Sequence, residues 1–485
     1  MGMTDKLPHE VVGSDFAQDE VGQLEDEIYE RLHIRVHCTE LFDDNGLRVL
    51  VIDVPSRPIG KALRFEGVPL MRVGESLREM DDQEYFSILQ EQDPDFSANI
   101  CKGLTMDDLS DEAVQKMRQY IYEKRQKPEI LTTPLTQVLT DLGLLTNEGL
   151  NYAALILLAK GEVIRSYLPQ FNVVVEYRAS ENQIRYSARK VFSEPLFTGV
   201  EQIWDYINQD AINQLQHVEM LPQITDVPSF TEETIREAIL NSIQHRNFQM
   251  GGDIFIKISP TAIEISNAGG FPYGVNMGNI LTVNSSPRSR RLAEVIEKAG
   301  LIERSGQGVD IMFANCINEG RLLPDYSASD DFQVVLRIET KIAYPQLRRY
   351  LKQLNEERTE SERLNVFDLI TLYSILRREG SNIYERSVKR LLDEGIILNH
   401  DTYGYIMGNG YFAHSPAVVA NAVNADTYRR LYYLLEDEPK SMSAFIEEWQ
   451  GDLTVKQIRT KIENLVGTVL SRSGNGRGTK YSLLR

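Results

Sequence analysis

Apolar residues recur along this chain at two periods, and the alternation between them outlines its elements. "LRVLVIDVP" (47–55) alternates apolar and polar positions after a turn at Asp44-Asn45-Gly46, which predicts a strand. "VPLMRVGESLREM" (68–80) predicts a second strand, a turn at Gly74 and then a helix. Residues 84–126 carry the 3.6-residue period. The clearest stretch, "LSDEAVQKMRQYIYEKRQ", opens on Ser110 with Asp111 and Glu112 in its first turn. "LNYAALILLAKG" is apolar throughout and predicts a buried segment. "FNVVVEYRA" and "QIRYSARKVF" predict two strands joined at Glu181-Asn182. "TEETIREAILNSIQHRNF" predicts a helix capped by Thr231, and "DIFIKISPTAIEISNAGG" a hairpin about Ser259-Pro260-Thr261. "RLAEVIEKAGL" predicts a short helix ending at Gly300, and "FQVVLRI" (332–338) another strand. "LRRYLKQLNEERTESERLN" is so charged that it predicts a solvated linker helix, with two small helix-rich units after it. Helices and strands interleave without a regular βαβ order, so the fold class is α+β.

One helix stands out. Glu237, Asn241 and His245 recur at i, i+4, i+8 on one stripe, each among apolar neighbours. The wet side of an amphipathic helix would give such a stripe, but Asn is a poor residue for that position. Just beyond the helix, the strand "TAIEIS" runs into Asn267-Ala268-Gly269-Gly270, whose glycines permit close backbone approach. Further on, Gly306-Gln307-Gly308 opens a helix, and a glycine-rich helix start offers free N–H groups to phosphate. Each piece alone is weak. The three in this order point to a nucleotide site.

Composition narrows the alternatives. The 485 residues are enough for two to four domains. A formal net charge of −19 excludes a protein that coats nucleic acid over its whole surface. Cys38, Cys101 and Cys316 lie far apart, which argues against a disulfide framework or structural zinc and fits a reducing cytoplasm. No apolar run is long enough to span a bilayer, and "MGMTDKLPHEVV" lacks the layout of a signal peptide. No Walker-type phosphate loop, zinc-protease motif or serine nucleophile elbow is present.

Against that acidic background, the segment from Thr454 onward is basic: Lys456, Arg459, Lys461, Arg472, Arg477, Lys480 and Arg485 face the single acid Glu463. "KSMSAFIEEWQGDLTVKQIRTKIENLVGTVLSRSGNGRGTKYSLLR" predicts helix, turn, helix and hairpin. Val455, Ile458, Ile462 and Leu465 form the buried stripe of the second helix, leaving Lys456, Arg459 and Lys461 mostly outward. Asn475-Gly476 reads as a tight hairpin turn. The segment resembles a winged helix. That implies duplex DNA held through Lys456, Arg459, Lys461, Arg472, Arg477 and Lys480, with a protein-binding module as the alternative. Residues 363–408 have a similar but less basic pattern, better suited to domain or dimer packing.

The set "EAILNSIQHR … IEISNAGGFPYG … SPRSRRLAEVIEKAGLIERSGQGVDIM" resembles the ATP-binding domain of the GHKL superfamily. It is nearer to the divergent branch in bacterial AlbA/Schlafen-type transcriptional regulators, often labelled RecG-helicase-related. The resemblance implies a Bergerat-type sandwich that binds ATP with Mg²⁺. Asn241 would hold Mg²⁺ through phosphate oxygens, and Glu237 would polarise a water if hydrolysis occurs. Asn267 would stand in the adenine-reading position, Gly269 and Gly270 would shape the base pocket, and Gly306 and Gly308 would wrap the phosphates, with 275–305 as lid. Two departures stand out: Ala268 where the branch has Pro, and Arg288-Ser289-Arg290 where it has Arg-Asn-Pro. Arg288, Arg290 and Arg291 are either phosphate-facing cations or a solvated basic turn.

"LRVLVIDVPSRPIGKALRFEGVPLMRVGESLREM" resembles the closing strands of an AlbA/Schlafen-type domain, whose earlier acidic half has no counterpart here. The expected layout is a partial AlbA-type domain (1–88), a helical connector (89–129), the GHKL-type domain (130–340), a linker helix with a winged-helix-like unit (341–425) and a winged helix (426–485). The expected function is a cytoplasmic, homo-oligomeric, ATP- and DNA-binding transcriptional regulator. The alternatives are a slow ATPase or nucleic-acid-processing factor, or an assembly module with a degenerate ATP site.

Overall fold

The computed structural model describes residues 1–4, 10–32, 34–43, 45–54, 60–65, 67–73, 76–90, 95–220, 223–272, 274–283, 287–301 and 308–484. Two units emerge, Met1–Asp95 and Phe96–Arg485. In the first, an acidic helix Val21–Leu32 packs beside the antiparallel pair His37–Phe42 and Arg48–Asp53. A small core of Val36, Cys38 and Leu50 joins them. The strand expected at 68–73 forms, but the helix expected after it does not. Ser76–Glu79 instead pairs antiparallel with Val68–Val73, and the helix starts only at Asp82. Four residues fix neither period, and cross-strand pairing decides.

In the second unit the expected cap at Ser110 holds, whereas Thr231 stands at the start of its helix without a side-chain cap. The Ser110 hydroxyl accepts from the Ala113 N–H at 3.3 Å and caps helix Asp111–Arg125. Asn151 caps the helix Tyr152–Leu158, buried from Ala153 onward. A five-stranded mixed sheet follows, built from β1 (Val173–Tyr177), β2 (Ala188–Phe192), β3 (Ile254–Ile258), β4 (Ala262–Ala268) and β5 (Gln333–Glu339) in spatial order β5-β4-β3-β1-β2. Only β3 and β1 run parallel, and the other neighbours are antiparallel. Alternation sorts the two faces. Ile256, Ile263, Ile265, Leu336 and Val175 enter the core. On the opposite face Lys257 meets Glu264 across strands at 3.6 Å, and Arg189 meets Glu176 at 3.4 Å.

Three helices matter for the site: α1 (Glu232–His245), α2 (Arg290–Ala299), which ends on left-handed Gly300, and α3 (Gly308–Asn318). The hairpin Leu215–Met220/Gln223–Pro228, which has no counterpart in the sequence reading, lies between β2 and α1. The presumed solvated linker is instead a docked helix, α4 (Pro345–Glu356), with Leu347, Tyr350 and Leu351 buried. Its apolar spacing of i, i+3, i+4 outweighs its charge.

Helices Val366–Arg377 and Glu385–Asp393 and the hairpin Ile397–His400/Gly404–Met407 come next. The chain ends with helices Ala425–Leu435 and Met442–Glu448, then α5 (Val455–Leu465) and the hairpin Leu470–Ser473/Lys480–Leu483. This last part has its own core, including Leu431, Phe445, Trp449, Ile458, Ile462 and Tyr481. Two expectations fail here. Val455 is 49% exposed, because the first residue of the helix lies beyond the reach of that core. The hairpin loop is 474–479 with a 3-10 turn at Gly476–Gly478, longer than a two-residue Asn-Gly turn.

Candidate functional site

α1 starts at Thr231, whose hydroxyl hydrogen-bonds the Thr234 hydroxyl at 3.1 Å and donates to Glu319 at 2.8 Å. Ile235, Ile239 and Ile243 anchor the helix in the core. The same anchoring turns Glu237, Asn241 and His245 toward a cavity of about 520 Å³. The floor is the end of β4, where Asn267 lies opposite Val334 of β5. Phe271 and Tyr326, with ring centres 5.8 Å apart, form part of the apolar wall. α2 contributes Arg290, Glu294 and Glu297, and α3 contributes Gly308 and Val309.

Glu237, Asn241 and Gly308 meet at one end. The Asn241 amide donates to Glu237 Oε1 at 3.0 Å. A methyl group added at Gly308 would collide with that same oxygen and lie 3.0 Å from Asn241 Nδ2. Only glycine lets the start of α3 sit so close to this carboxylate and carboxamide. Glu237 is 6% exposed, and burial pushes its carboxyl up to about 7, with the Asn241 hydrogen bond opposing. Burial, and next the Arg288 guanidinium, push His245 down to about 4, so it stays neutral.

At the other end, Asn267 is 5% exposed and its amide donates to the Ala268 carbonyl at 3.4 Å. That leaves the side-chain oxygen without a donor among the described residues. Gly269 has φ of +91°, and a Cβ on it would strike Arg288. A Cβ on Gly270 would lie 2.5 Å from the Asp330 carbonyl oxygen. Both glycines are therefore required by close approach.

Gly306 lies outside the described residues. The three arginines separate. Arg288 donates to the Gly270 carbonyl at 3.0 Å and pins the root of α2 to the glycine turn. Arg291 pairs with Glu294 at 2.8 Å, and Arg290 borders the cavity. Arg246 is fully buried and donates to the carbonyls of Gln170, Met250 and Gly252, a framework role. Phe271, Tyr326 and Gln244 were not among the sequence candidates. Gln244 lines the cavity with a buried amide nitrogen that has no partner among the described residues. Phe271 follows the Gly-Gly turn directly and was readable; Tyr326 is distant in sequence and was not.

Among the basic residues, Lys456, Arg459, Arg472 and Lys480 are exposed. Lys461 departs from the outward face: its ammonium lies 5.6 Å from the Trp449 ring centre. Arg472 pairs with Glu463 at 3.2 Å, and the Arg477 side chain lies outside the described residues.

Comparison with known proteins bears on the cavity. Residues 251–336 match the family described as "Putative ATP-dependent DNA helicase recG C-terminal". This part of the chain is therefore similar to an ATPase-like domain. The match takes in Asn267, Gly269, Gly270, Gly306 and Gly308 and begins after α1, so Glu237 and Asn241 precede it. Residues 86–174 match a domain of unknown function, DUF8451. No curated protein matches the chain. Among solved structures it is similar to the DIP2311 protein from Corynebacterium diphtheriae, with 19% identity over 85% of this chain and 83% of that one and a TM-score of 0.53. At that identity the likeness is one of fold.

Proposed function

We propose that the chain is a cytoplasmic ATP-binding, DNA-binding transcriptional regulator, active as a homo-oligomer, with a GHKL-type nucleotide pocket and a C-terminal winged helix. The convergence of Glu237, Asn241 and Gly308 on one end of a cavity whose other end carries Asn267 supports it most directly. A base fits against the wall that Phe271 and Tyr326 form together, with Asn267 Oδ1 as acceptor for an exocyclic amine. Phosphates fit at the start of α3, where helix N–H groups point outward.

Asn241 supplies an oxygen donor of the hard type that magnesium takes, beside the Glu237 carboxyl. No group of three His, Cys, Asp or Glu among the described residues could hold a metal alone, so a cation here relies on phosphate oxygens for its remaining ligands. Bound there, Mg²⁺ would neutralise phosphate charge. Asn241 orients those oxygens, and the apolar walls exclude water.

One observation favours a second reading, slow ATP hydrolysis. A buried carboxyl at about 7 is matched to taking a proton from water near neutral pH. The DNA reading rests on the exposed cations of α5 and the following hairpin, set on helix, turn, helix and hairpin in a strongly acidic chain. No described helix is long and apolar enough to cross a membrane.

Thermal unfolding with ATP and Mg²⁺ tests the nucleotide reading. Wild type gains melting temperature with ligand concentration, while Asn241→Ala loses that gain and keeps its unliganded melting temperature. No ATP-dependent shift in wild type at millimolar ATP would leave the pocket degenerate and favour an assembly role.

A further inference from the structure

The nucleotide reading leaves a second cavity unused. A cleft of about 350 Å³ opens between the C-terminal half of α3, α4 and Arg363. Arg348, Lys352, Asn355 and Glu356 stand at i, i+4, i+7 and i+8, so α4 turns one face to it. Asn315, Asn318 and Glu319 face them from α3 and its end.

The charges do not balance internally. Glu319 is already taken by Arg321 at 2.6 Å and by the Thr231 hydroxyl at 2.8 Å. Glu356 faces Lys352 at 3.9 Å. Arg348 and Arg363 have no ion pair among the described residues, and the Arg348 Nε is buried without an acceptor. A buried charged donor without a partner is costly, and a chain of net charge −19 has carboxylates in surplus to place beside it. Two guanidiniums without a carboxylate partner among the described residues, lining one cleft, match a dianion.

We propose that this cleft is a second ligand site, which takes the phosphate group of a small phosphate ester. Arg348 and Arg363 grip the phosphate oxygens, since planar guanidinium forks match that geometry. Asn318 and Asn355, hydrogen-bonded to each other at 3.4 Å, offer spare donors and acceptors to the hydroxyl groups of the ester. The volume suits a small molecule and excludes a folded partner. The cleft also touches the helices that carry the nucleotide constellation. Asn315 donates to Glu233 at 2.9 Å on the first turn of α1, and α3 runs about 15 Å from Gly308 to Asn318. Occupancy therefore biases both helices. This coupling rests on the nucleotide reading; the binding does not.

Inorganic pyrophosphate is the probe, added to the full chain during thermal unfolding, against chloride at matched ionic strength. The expected result is a saturable rise in melting temperature, with half-saturation moved about tenfold or more by Arg348→Gln or Arg363→Gln and unmoved by Asn241→Ala. A rise that survives both arginine variants overturns the site. So does one that Asn241→Ala abolishes, which would place pyrophosphate in the nucleotide pocket, and so does no rise beyond chloride. If Arg348→Gln fails to fold, Arg363→Gln, on an exposed side chain, decides alone. Pyrophosphate should also change ATP affinity in wild type and not in Arg363→Gln. Unchanged ATP affinity with pyrophosphate binding intact overturns the coupling, and absent ATP binding with pyrophosphate binding intact overturns the nucleotide reading instead.

Discussion

α1 and α5 both begin at a threonine, and the two threonines behave differently. Thr454 completes a local capping box with Gln457, accepting from its N–H at 3.4 Å. Thr231 makes no such cap; its hydroxyl reaches Glu319, 88 residues away. The helices follow suit. α5 buries Ile458, Ile462 and Leu465 in a small core of its own and leaves its cations at the surface. α1 is locked into the main core, and its polar stripe becomes the wall of a cavity assembled from β4, α2 and α3. Charge on a local unit is free to meet a large partner, whereas charge on a shared wall is shifted by burial and suits chemistry on a small one.

The largest test of that contrast is Glu237→Gln. Its carboxyl is raised from 4.5 to about 7 in the fold. Between these values the native state holds a proton that the unfolded chain has released, so stability falls as pH rises through the window. The amide carries no such penalty. The variant should be more stable than wild type by up to about 3 kcal/mol at pH 8 and equal to it near pH 4, as read by chemical denaturation. His245 has the opposite sign. Lowered from 6.5 to about 4, it adds stability as pH rises through that range, and this slope should stand out once Glu237 is gone. Equal profiles for the two proteins would mean that Glu237 is not buried as described.

Next is Gly270→Ala. The added methyl meets the Asp330 carbonyl at 2.5 Å, and backbone cannot swing away as a side chain can. A loss of about 2 kcal/mol is expected, with ATP binding reduced alongside. A neutral result would show that the turn yields. Thr454→Ala should cost about 1 kcal/mol and be felt only in the C-terminal unit. If it also weakened ATP binding, the two regions would not be separate. The smallest effect is Glu463→Gln. Glu463 holds Arg472 and accepts from the Tyr481 hydroxyl at 2.7 Å. Removing its charge should raise duplex DNA affinity about two- to fivefold at low salt, with the slope of log K against log salt steepening toward about −4. Unchanged DNA affinity would exclude Arg472 from the contact.

The same contrast explains what the sequence made legible. The Ser110 and Thr454 caps, the β3–β4 hairpin and the Gly300 end of α2 are local, so their signals lie within a few residues. The spacing of Glu237, Asn241 and Gly308 gave the polar end of the cavity because helix periodicity places the first two and glycine marks the third. The wall could not be read this way: Tyr326 reaches Phe271 only through the register of β5 on β4 and the loop before it. Arg288 read as either a phosphate-facing cation or part of a solvated turn and is the pin on Gly270, because a carbonyl acceptor leaves no mark in sequence. The α4 misreading was avoidable, since Leu347, Tyr350, Leu351 and Leu354 already spell an apolar stripe.

The central claim is that α1, the end of β4 and the start of α3 close on one ATP. Amide hydrogen exchange of the full chain, with and without ATP and Mg²⁺, tests it most directly. The account predicts added protection together in 241–245, 267–271 and 308–312, and none in 454–483 without DNA. Protection confined to other segments, or absent at saturating ATP, would contradict it.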